Sequence, residues 1–319
     1  LLAHGLVFMA VRRSRFEARQ IWLLLGVLVV ATLMTLAYGY WGYLVTRQRS
    51  NLGLHSVGHV NHSAIYMAIV FGLALAAASA SALAGWRRTV LWGVTLLLFV
   101  SLLETVARGA LIPAGIFLVL WSFHWLVHRR GVSPVKLVVA ACVFVVIALI
   151  AQPEVIDKTA LNIAAGQVGS YRPALARVSV LAAREYPLFG VGPSQFHKIS
   201  PELVSQWQAD GKAWFAPEDL YFSSHAHGLY ANTLAERGLV GLAVLLTLLA
   251  AWGLALKRGV PGNDASPLAH TLWGGALSGW VLTVVGGFFN TTFHHEHAMV
   301  TALLIALWLS WRRQEPQSA

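Results

Sequence analysis

The stretch SSHAHGLYANTLAERGLVG, residues 223–241, joins a polar segment to a long apolar run. Ser224 is a residue type that commonly caps helix N-termini, so the sequence predicts a helix whose first turn carries His225 and His227. Such a turn offers free backbone N–H groups to a phosphate, and a histidine exchanges a proton near neutral pH. The alternative is that both histidines are interfacial residues without a chemical role. On the first interpretation this junction is a candidate active site.

Apolar runs dominate the rest of the chain. Of its 319 residues 57% are hydrophobic and 11% are charged, and the mean hydropathy is +0.64. A soluble domain carries about 25% charged residues. The composition therefore predicts an all-α, polytopic transmembrane helical bundle that forms a single integral membrane domain over residues 1–319. The predicted spans are 1–11, 21–45, 64–84, 89–104, 109–127, 135–151, 238–256, 269–288 and 297–311. Because the chain opens inside an apolar run, we expect further spans before residue 1.

The basic residues alternate between two sides of the predicted membrane. The net charge is +10, but it lies mostly in short loops, which favours membrane orientation over nucleic-acid binding. One side collects 13 of the 23 basic residues, namely Arg12, Arg13, Arg15, Arg19, Arg87, Arg88, Arg129, Arg130, Lys136, Lys257, Arg258, Arg312 and Arg313. The positive-inside rule makes that side cytoplasmic. The outer side then holds the loop 46–62, Arg108, one long loop at 152–224 and the turn NTTFHHEH at 290–297.

Arg108 stands in ETVARGALIPAG, residues 104–115, at the edge of a predicted span. An arginine at membrane depth is costly, so it is expected to face a cavity or a partner. The alternatives are that Arg108 reaches the interface or pairs with Glu104, four residues earlier.

The long loop contains YRPALARVSVLAAREYPLFGVGP, residues 171–193, which predicts an amphipathic helix followed by a turn. Pro173 suits a first helical position. One apolar stripe is formed by Leu175, Val178, Leu181 and Ala182. Arg177 and Arg184 share an edge of this stripe, where they meet anionic lipid headgroups or clamp a bound anion. Glu236 is expected to pair with a loop arginine.

Other chemistries find little support in the sequence. The single cysteine, Cys142, lies in an apolar run and has no partner for a disulfide or a zinc site. Eight histidines of the predicted outer face are candidate zinc ligands, namely His55, His59, His62, His225, His227, His294, His295 and His297. No HExxH or CxxC motif accompanies them, and Glu218 and Asp219 are a weak metal candidate. The P-loop, the Rossmann glycines and GxSxG are also missing. We therefore expect no cofactor, and an enzyme here would need a donor that is already activated.

Several segments together resemble the O-antigen ligase and polymerase superfamily of bacterial membrane glycosyltransferases. RPALARVSVLAAREYPLFGVGPSQF at 172–196 resembles the family's arginine and "hPl-GvG" turn, and HGLYANTLAERGLVGL at 227–242 resembles its histidine motif. ARGAL at 107–111 and HVNHSAIYMAI at 59–69 resemble two further elements, in the family's order. Gly228 stands where the family often has Asn, and Ala107 where Ser is common, which leaves substrate orientation less defined.

The resemblance implies a multi-pass protein of the bacterial inner membrane with its active site facing the periplasm. Its donor would be an undecaprenyl-diphosphate-linked glycan, its acceptor a sugar of the lipid A-core, and its other partners membrane lipids. Arg108 matches the span arginine, Arg172 matches the loop arginine, and Arg177 is a second loop candidate; these would bind the diphosphate. His227 matches the motif histidine, the general base, and His225 could share or replace it. The expected reaction inverts the anomeric carbon and needs no metal.

Three alternatives to a ligase stay open on the sequence. An O-antigen polymerase or a protein O-oligosaccharyltransferase of the same superfamily would differ in its acceptor. A lipid or glycan transporter would be expected to show internal repeats and polar groups at mid-membrane. A structural membrane subunit would not need the cluster of arginines and histidines.

Overall fold

The computed structural model describes residues 2–46, 52–54, 60–133, 135, 171–209, 215–293 and 295–314. Over these ranges the chain is helical and contains no strand, so the all-α prediction is confirmed. The helices are α1 (Leu2–Arg13), α2 (Ala18–Tyr40), α3 (Val60–Ala80), α4 (Trp86–Glu104), α5 (Arg108–Ser122), α6 (Arg172–Glu185), α7 (Pro201–Ala209), α8 (Leu229–Arg258), α9 (Pro267–Gly286) and α10 (His295–Arg312). Residues 136–151 of the predicted span 135–151, His55, His59 and the loop parts 152–170 and 210–214 lie outside the described residues.

Six helices in the described ranges are long and apolar enough to cross a membrane. They are Ala18–Val45, Val60–Ala80, Trp86–Glu104, Arg108–Val127, Leu229–Arg258 and Pro267–Gly286. Two of them end in π-helical turns, at Trp41–Val45 and Phe123–Arg129. The predicted spans 1–11 and 297–311 coincide with α1 and α10, which are not among these six. The chain is a multi-pass membrane protein.

The chain divides into two compact units. The first unit comprises residues 1–142, 253–286 and 292–319, and the second comprises residues 143–252 and 287–291.

Helices α3 and α9 form the buried centre of the first unit. They approach closely at Gly72, where an added Cβ atom would collide with the side chain of Ser278 on α9. Lipid supplies no hydrophobic drive for helices to associate, so contact through small residues is a main source of their packing energy. The Ser278 hydroxyl lies 3.4 Å from the backbone oxygen of Ala68, which satisfies its polar group inside the bundle.

Helix α6 organises the core of the second unit. Its predicted apolar stripe is buried, which confirms the amphipathic helix, and Pro173 lies in its first turn. The stripe packs in one cluster with Phe196, Ile199, Val204, Ala226 and Ala235. Through Ala226 this cluster holds the backbone between the two histidines, and through Ala235 it holds the start of α8.

The turn after α6 and a break in α8 are joined by backbone hydrogen bonds. Gly238 has φ 62° and ψ −163°, so the helix is interrupted there. The interruption frees carbonyl groups before Gly238 and N–H groups after it. Val191 N–H donates to Ala235 O at 2.9 Å, and Leu239 N–H donates to the oxygen of Pro187 at 2.8 Å. In the same way, Gly192 N–H donates to the oxygen of Glu236 at 3.1 Å, and Val240 N–H donates to the oxygen of Leu188 at 3.2 Å.

Glycine is required on both sides of this junction, which we call the turn–helix junction (residues 187–192 and 235–240). Gly190 and Gly238 have φ 67° and φ 62°, in the left-handed region. A Cβ atom on Gly190 would collide with the carbonyl of Ala235, and one on Gly238 would collide with the carbonyl of Leu188. The two backbones therefore touch directly, and the junction fixes the direction in which α8 leaves the polar segment.

Candidate active site

His225 and His227 lie side by side in a non-helical segment of the second unit. Their ring centroids are 4.0 Å apart with an interplanar angle of 47°, and both residues are partly buried. The prediction that they occupy the first turn of a helix capped by Ser224 is wrong, because α8 begins at Leu229. Ser224 instead has its Oγ 3.0 Å from Nδ1 of His225. The pair thus offers two imidazoles at one partly accessible point.

Contacts from outside the local sequence set the start of α8. The N–H of Leu229 lies 2.7 Å from the carbonyl oxygen of Gly287 and 3.1 Å from that of Asn290. Asn232 Oδ1 accepts a hydrogen bond from the N–H of Ala226 at 3.1 Å. The N–H of Asn232 donates to the carbonyl of Gly228 at 2.9 Å, so this residue ties the histidine segment to α8 at both ends.

The backbone of His227 is in the left-handed region, with φ 49°. Few non-glycine residues adopt this conformation, although histidine does so more often than most. It costs on the order of 1–3 kcal/mol and persists only where neighbouring contacts impose it. The bonds made by Ala226, Leu229 and Asn232 supply those contacts. Strained residues of this kind are concentrated at functional sites, which singles out His227 within the pair.

Arg172 and Arg177 lie on α6, in the same unit as the histidines. Tyr171, next to Arg172, stacks on Tyr221 with ring centroids 4.1 Å apart, which brings the start of α6 against the segment that leads to His225. Arg172 is partly buried there.

Arg177 is engaged with its own unit. Its Nη1 lies 2.8 Å from the carboxylate of Asp219 and 3.0 Å from the carbonyl oxygen of the same residue. Its guanidinium also lies over the ring of Phe215, 5.7 Å from the centroid. These contacts occupy part of the fork that a bound phosphate would need.

The predicted pairing of Glu236 with a loop arginine is not found among the residues that the structure describes. Oε2 of Glu236 lies 3.3 Å from Nη1 of the adjacent Arg237, and its Oε1 accepts from the N–H of Phe196 at 3.4 Å. The residue is only 5% exposed. Its carboxylate therefore fastens the turn after α6 to α8, close to the turn–helix junction.

Arg108 belongs to the first unit, where it is the first residue of α5 and is exposed. The alternative pairing with Glu104 is not seen among the described residues, and the carboxylate of Glu104 lies beside the Tyr40 hydroxyl instead. A cation at a helix N-terminus faces the positive end of the helix dipole, which is unfavourable unless an anion binds nearby. This position is consistent with the expected anion-binding role, which stays a prediction.

Residues 93–246, nearly half of the chain, match the family described as O-antigen ligase. Over these residues the chain is similar to that family. The resemblance stated from the sequence is thereby confirmed, and members of the family are glycosyltransferase-like enzymes. The matched residues include all five candidate site residues, namely Arg108, Arg172, Arg177, His225 and His227. A comparison of the chain with curated proteins gave no match.

Two features of the matched segment were not predicted from the sequence. Asn232 looked like an ordinary helical residue, although it braces the histidine segment. Gly238 lies inside an apolar pattern that predicts a continuous helix, although it interrupts α8. The one available sign was the pair of glycines in PLFGVG and ERGLVG, since glycine in both segments allows close backbone contact.

No group of three or more metal-ligating side chains occurs among the residues that the structure describes. Metal independence of the reaction remains a prediction, which activity in the presence of a chelator would test.

Proposed function

We propose that this protein is an O-antigen ligase. It would transfer a glycan from undecaprenyl diphosphate to a hydroxyl of a lipid A-core sugar at the periplasmic face of the bacterial inner membrane, and so complete lipopolysaccharide. The observation that carries the proposal is the histidine pair, with His227 held in a strained conformation beside His225. The family match over residues 93–246 supplies the reaction class.

In this proposal His227 acts as the general base. Its imidazole accepts the proton of the acceptor hydroxyl while the oxygen attacks the anomeric carbon of the donor glycan. The new carbon–oxygen bond forms as the bond from the anomeric carbon to the phosphate oxygen breaks, and undecaprenyl diphosphate leaves with the electron pair. A single displacement of this kind inverts the anomeric configuration. His225 lies beside His227, with ring centroids 4.0 Å apart, and is proposed to share or replace the role of the base.

The arginines would stabilise the leaving group. As the glycosidic bond breaks, negative charge accumulates on the lipid diphosphate, and a guanidinium fork can bind two phosphate oxygens at once. Arg172 is proposed as the main contact from the second unit, because it matches the family's loop arginine, and Arg177 is the second candidate. Arg108 is proposed as a further diphosphate-binding residue on the strength of its match to the family's span arginine and its place at a helix N-terminus.

The experiment is transfer in detergent from undecaprenyl-diphosphate glycan to purified lipid A-core, with EDTA present and no nucleotide. Glycosylated lipid A-core is the expected product, and its anomeric configuration, determined by NMR, should be opposite to that of the donor. His227→Ala protein is the matched negative control. Product that forms only after a divalent metal is restored would overturn metal independence while leaving the ligase assignment intact.

Other products would identify other acceptors. Longer glycans on the lipid carrier, with none on lipid A-core, would make the protein an O-antigen polymerase. Glycan on an added acceptor protein would make it a protein O-oligosaccharyltransferase. Failure of all three reactions by purified, folded protein would contradict the proposed transferase and favour a transporter.

A further inference from the structure

A cavity of about 580 Å³ opens in the first unit, where α1 and α10 end. Arginines dominate its lining: Arg12, Arg13, Arg15 and Arg313. Ser310 and Gln314 add polar groups, and no acidic residue is among the lining residues. All four arginines are exposed to solvent. The cavity therefore concentrates positive charge in one concave place.

No ion pair among the described residues balances the charge of these arginines. Glu17 is the acidic residue nearest to Arg15 in the sequence, and it caps α2, where its backbone N–H donates to Oε1 of Gln20 at 2.9 Å. Uncompensated guanidinium groups that converge on one cavity favour an anionic ligand.

The walls of the cavity are tied together by specific contacts. Ser310, which is 3% exposed, donates its hydroxyl to the backbone oxygen of Ser14 at 2.6 Å. Gln314 Nε2 donates to the carbonyl oxygen of Ser310 at 3.3 Å. These bonds fasten the end of α10 to the turn between α1 and α2. The concavity is thus part of the packed fold of the first unit.

We propose that this arginine cavity binds the phosphate group of an anionic ligand, with the headgroup of an anionic phospholipid as its source. The cavity lies just before α2, one of the membrane-spanning helices, so its arginines are near the depth of lipid headgroups. Guanidinium groups match phosphate oxygens in geometry, and basic pockets between transmembrane helices are known places for anionic headgroups.

The positive-inside rule explains why arginines lie on this side of the predicted membrane. It does not explain why four of them line one cavity, while Arg87, Arg88 and Lys257 are also exposed but do not line it. The neighbouring Arg312 is differently engaged, since its guanidinium lies over Trp308, 5.3 Å from the ring centroid. The proposed site is independent of the proposed ligase activity and of its catalytic residues.

The test compares lipid retention by two triple variants of the full chain. The cavity triple removes three charges from the cavity and carries Arg13→Gln, Arg15→Gln and Arg313→Gln. The control triple removes three exposed charges elsewhere and carries Arg87→Gln, Arg88→Gln and Lys257→Gln. Each protein is incubated with equal amounts of phosphatidylglycerol and phosphatidylcholine, and bound lipid is counted by native mass spectrometry. The wild type and the control triple should prefer phosphatidylglycerol by about tenfold, and the cavity triple should lose that preference.

A second pair of measurements identifies the source of the phosphate and guards against misfolding. The triple Arg→Lys variant at the same three positions keeps the charge, so it should retain most of the preference if the cavity binds an anion. Inorganic pyrophosphate is titrated at constant ionic strength against phosphatidylglycerol. If pyrophosphate binds to the cavity and phosphatidylglycerol does not, the cavity remains an anion site, but the lipid is overturned as the source of the phosphate group. Equal retention of phosphatidylglycerol by the wild type and the folded cavity triple would overturn the site itself.

Discussion

In the first unit glycine lets two helices touch, whereas in the second unit it lets a helix stop. Gly72 has ordinary helical geometry and matters because Ser278 fills the space that a side chain would need. Gly238 matters because its backbone is left-handed and its neighbour is a carbonyl group. At Gly72 the first unit thus depends on side-chain volume, whereas at Gly238 the second unit depends on backbone hydrogen bonds. Substitutions in the two units should fail in different ways.

The proposed chemistry follows the same division. His225 and His227 lie where the backbone is irregular, and their position depends on bonds from Asn232 and from residues 287 and 290. A close-packed helix bundle of the first kind would hold such residues only on regular helical faces. The second unit can orient two adjacent histidine rings because its backbone leaves the helical path.

The largest effect is expected at His227. His227→Ala should lower transfer to lipid A-core by about 10²- to 10⁴-fold, the range for loss of a general base, with little change in melting temperature. His197→Ala is the matched control, because it removes an exposed histidine from the same unit. His225→Ala should cost less than His227→Ala. If the order were reversed, His225 would be the base; normal transfer by both variants would sink the proposed site.

Arg108 is the proposed site residue that lies in the first unit, whereas the other proposed site residues lie in the second. Because the residue is exposed at the start of α5, Arg108→Ala should leave stability unchanged and lower transfer by about 10²- to 10³-fold, as for a lost charge-stabilising donor. Initial rates and thermal unfolding of the same preparation separate the two effects. Arg19→Ala, at another exposed arginine of that unit, should do neither. A variant at Arg108 that turns over normally would remove it from the active site.

Alanine at the two kinds of glycine tests the comparison directly. Gly238→Ala should lower transfer per folded molecule by about tenfold, because a strained backbone and a collision with Leu188 shift the turn–helix junction. Gly72→Ala should lower the free energy of unfolding by about 1–3 kcal/mol through overpacking, while the folded fraction keeps its turnover. Gly26→Ala is the control, since a Cβ atom there meets no atom within 4 Å. Identical behaviour of Gly238→Ala and Gly72→Ala would break the distinction between the units.

Asn232 should affect transfer only by holding the histidine segment in position. Asn232→Ala removes the acceptor for the N–H of Ala226, so transfer should fall by about tenfold, equivalent to about 1.4 kcal/mol. Asn232→Asp keeps a side-chain oxygen there and should restore most of the rate. The two variants are compared by kcat and KM on the same acceptor. An aspartate variant as poor as the alanine variant would contradict the bracing role.

The smallest effect is expected at Arg177. Exposed ion pairs contribute about 0–1 kcal/mol, so Arg177→Lys, which can still pair with Asp219, should lower transfer by about threefold or less. Arg172→Lys should have the larger effect, because a point charge cannot reproduce a two-pronged phosphate contact. Donor KM is the quantity to compare. A greater rise in donor KM for Arg177→Lys would assign the clamp to Arg177 instead.

The sequence predicted the helices well because a membrane-buried helix is marked by the apolar residues of its own segment. Apolar runs marked the spans, and the spacing of Leu175, Val178 and Leu181 marked the buried face of α6. The same sequence placed the arginines and histidines on segments that the family match then covered. In each case neighbouring residues carry the whole pattern.

The sequence failed where distant residues decide the local structure. Ser224 is a reasonable helix cap by composition, yet α8 starts at Leu229 because residues 287 and 290 supply the hydrogen-bond acceptors. The partners of Glu236 are equally unpredictable, since Phe196 reaches it from a turn forty residues earlier. Helix propensity also cannot foresee the break at Gly238, whose free groups are paired by the turn 187–192.

The turn–helix junction also sets an order for biosynthesis. The turn at 187–192 emerges from the ribosome tens of residues before the part of α8 that completes it. Until then the N–H groups of Val191 and Gly192 have no Ala235 or Glu236 carbonyl to bind, and water must serve in their place. Later, the N–H groups of Leu239 and Val240 can enter the membrane with their hydrogen bonds satisfied only if the carbonyl groups of Pro187 and Leu188 are in place to accept them. Completion of α8 and closure of the turn at 187–192 are therefore coupled, and the turn is synthesised first.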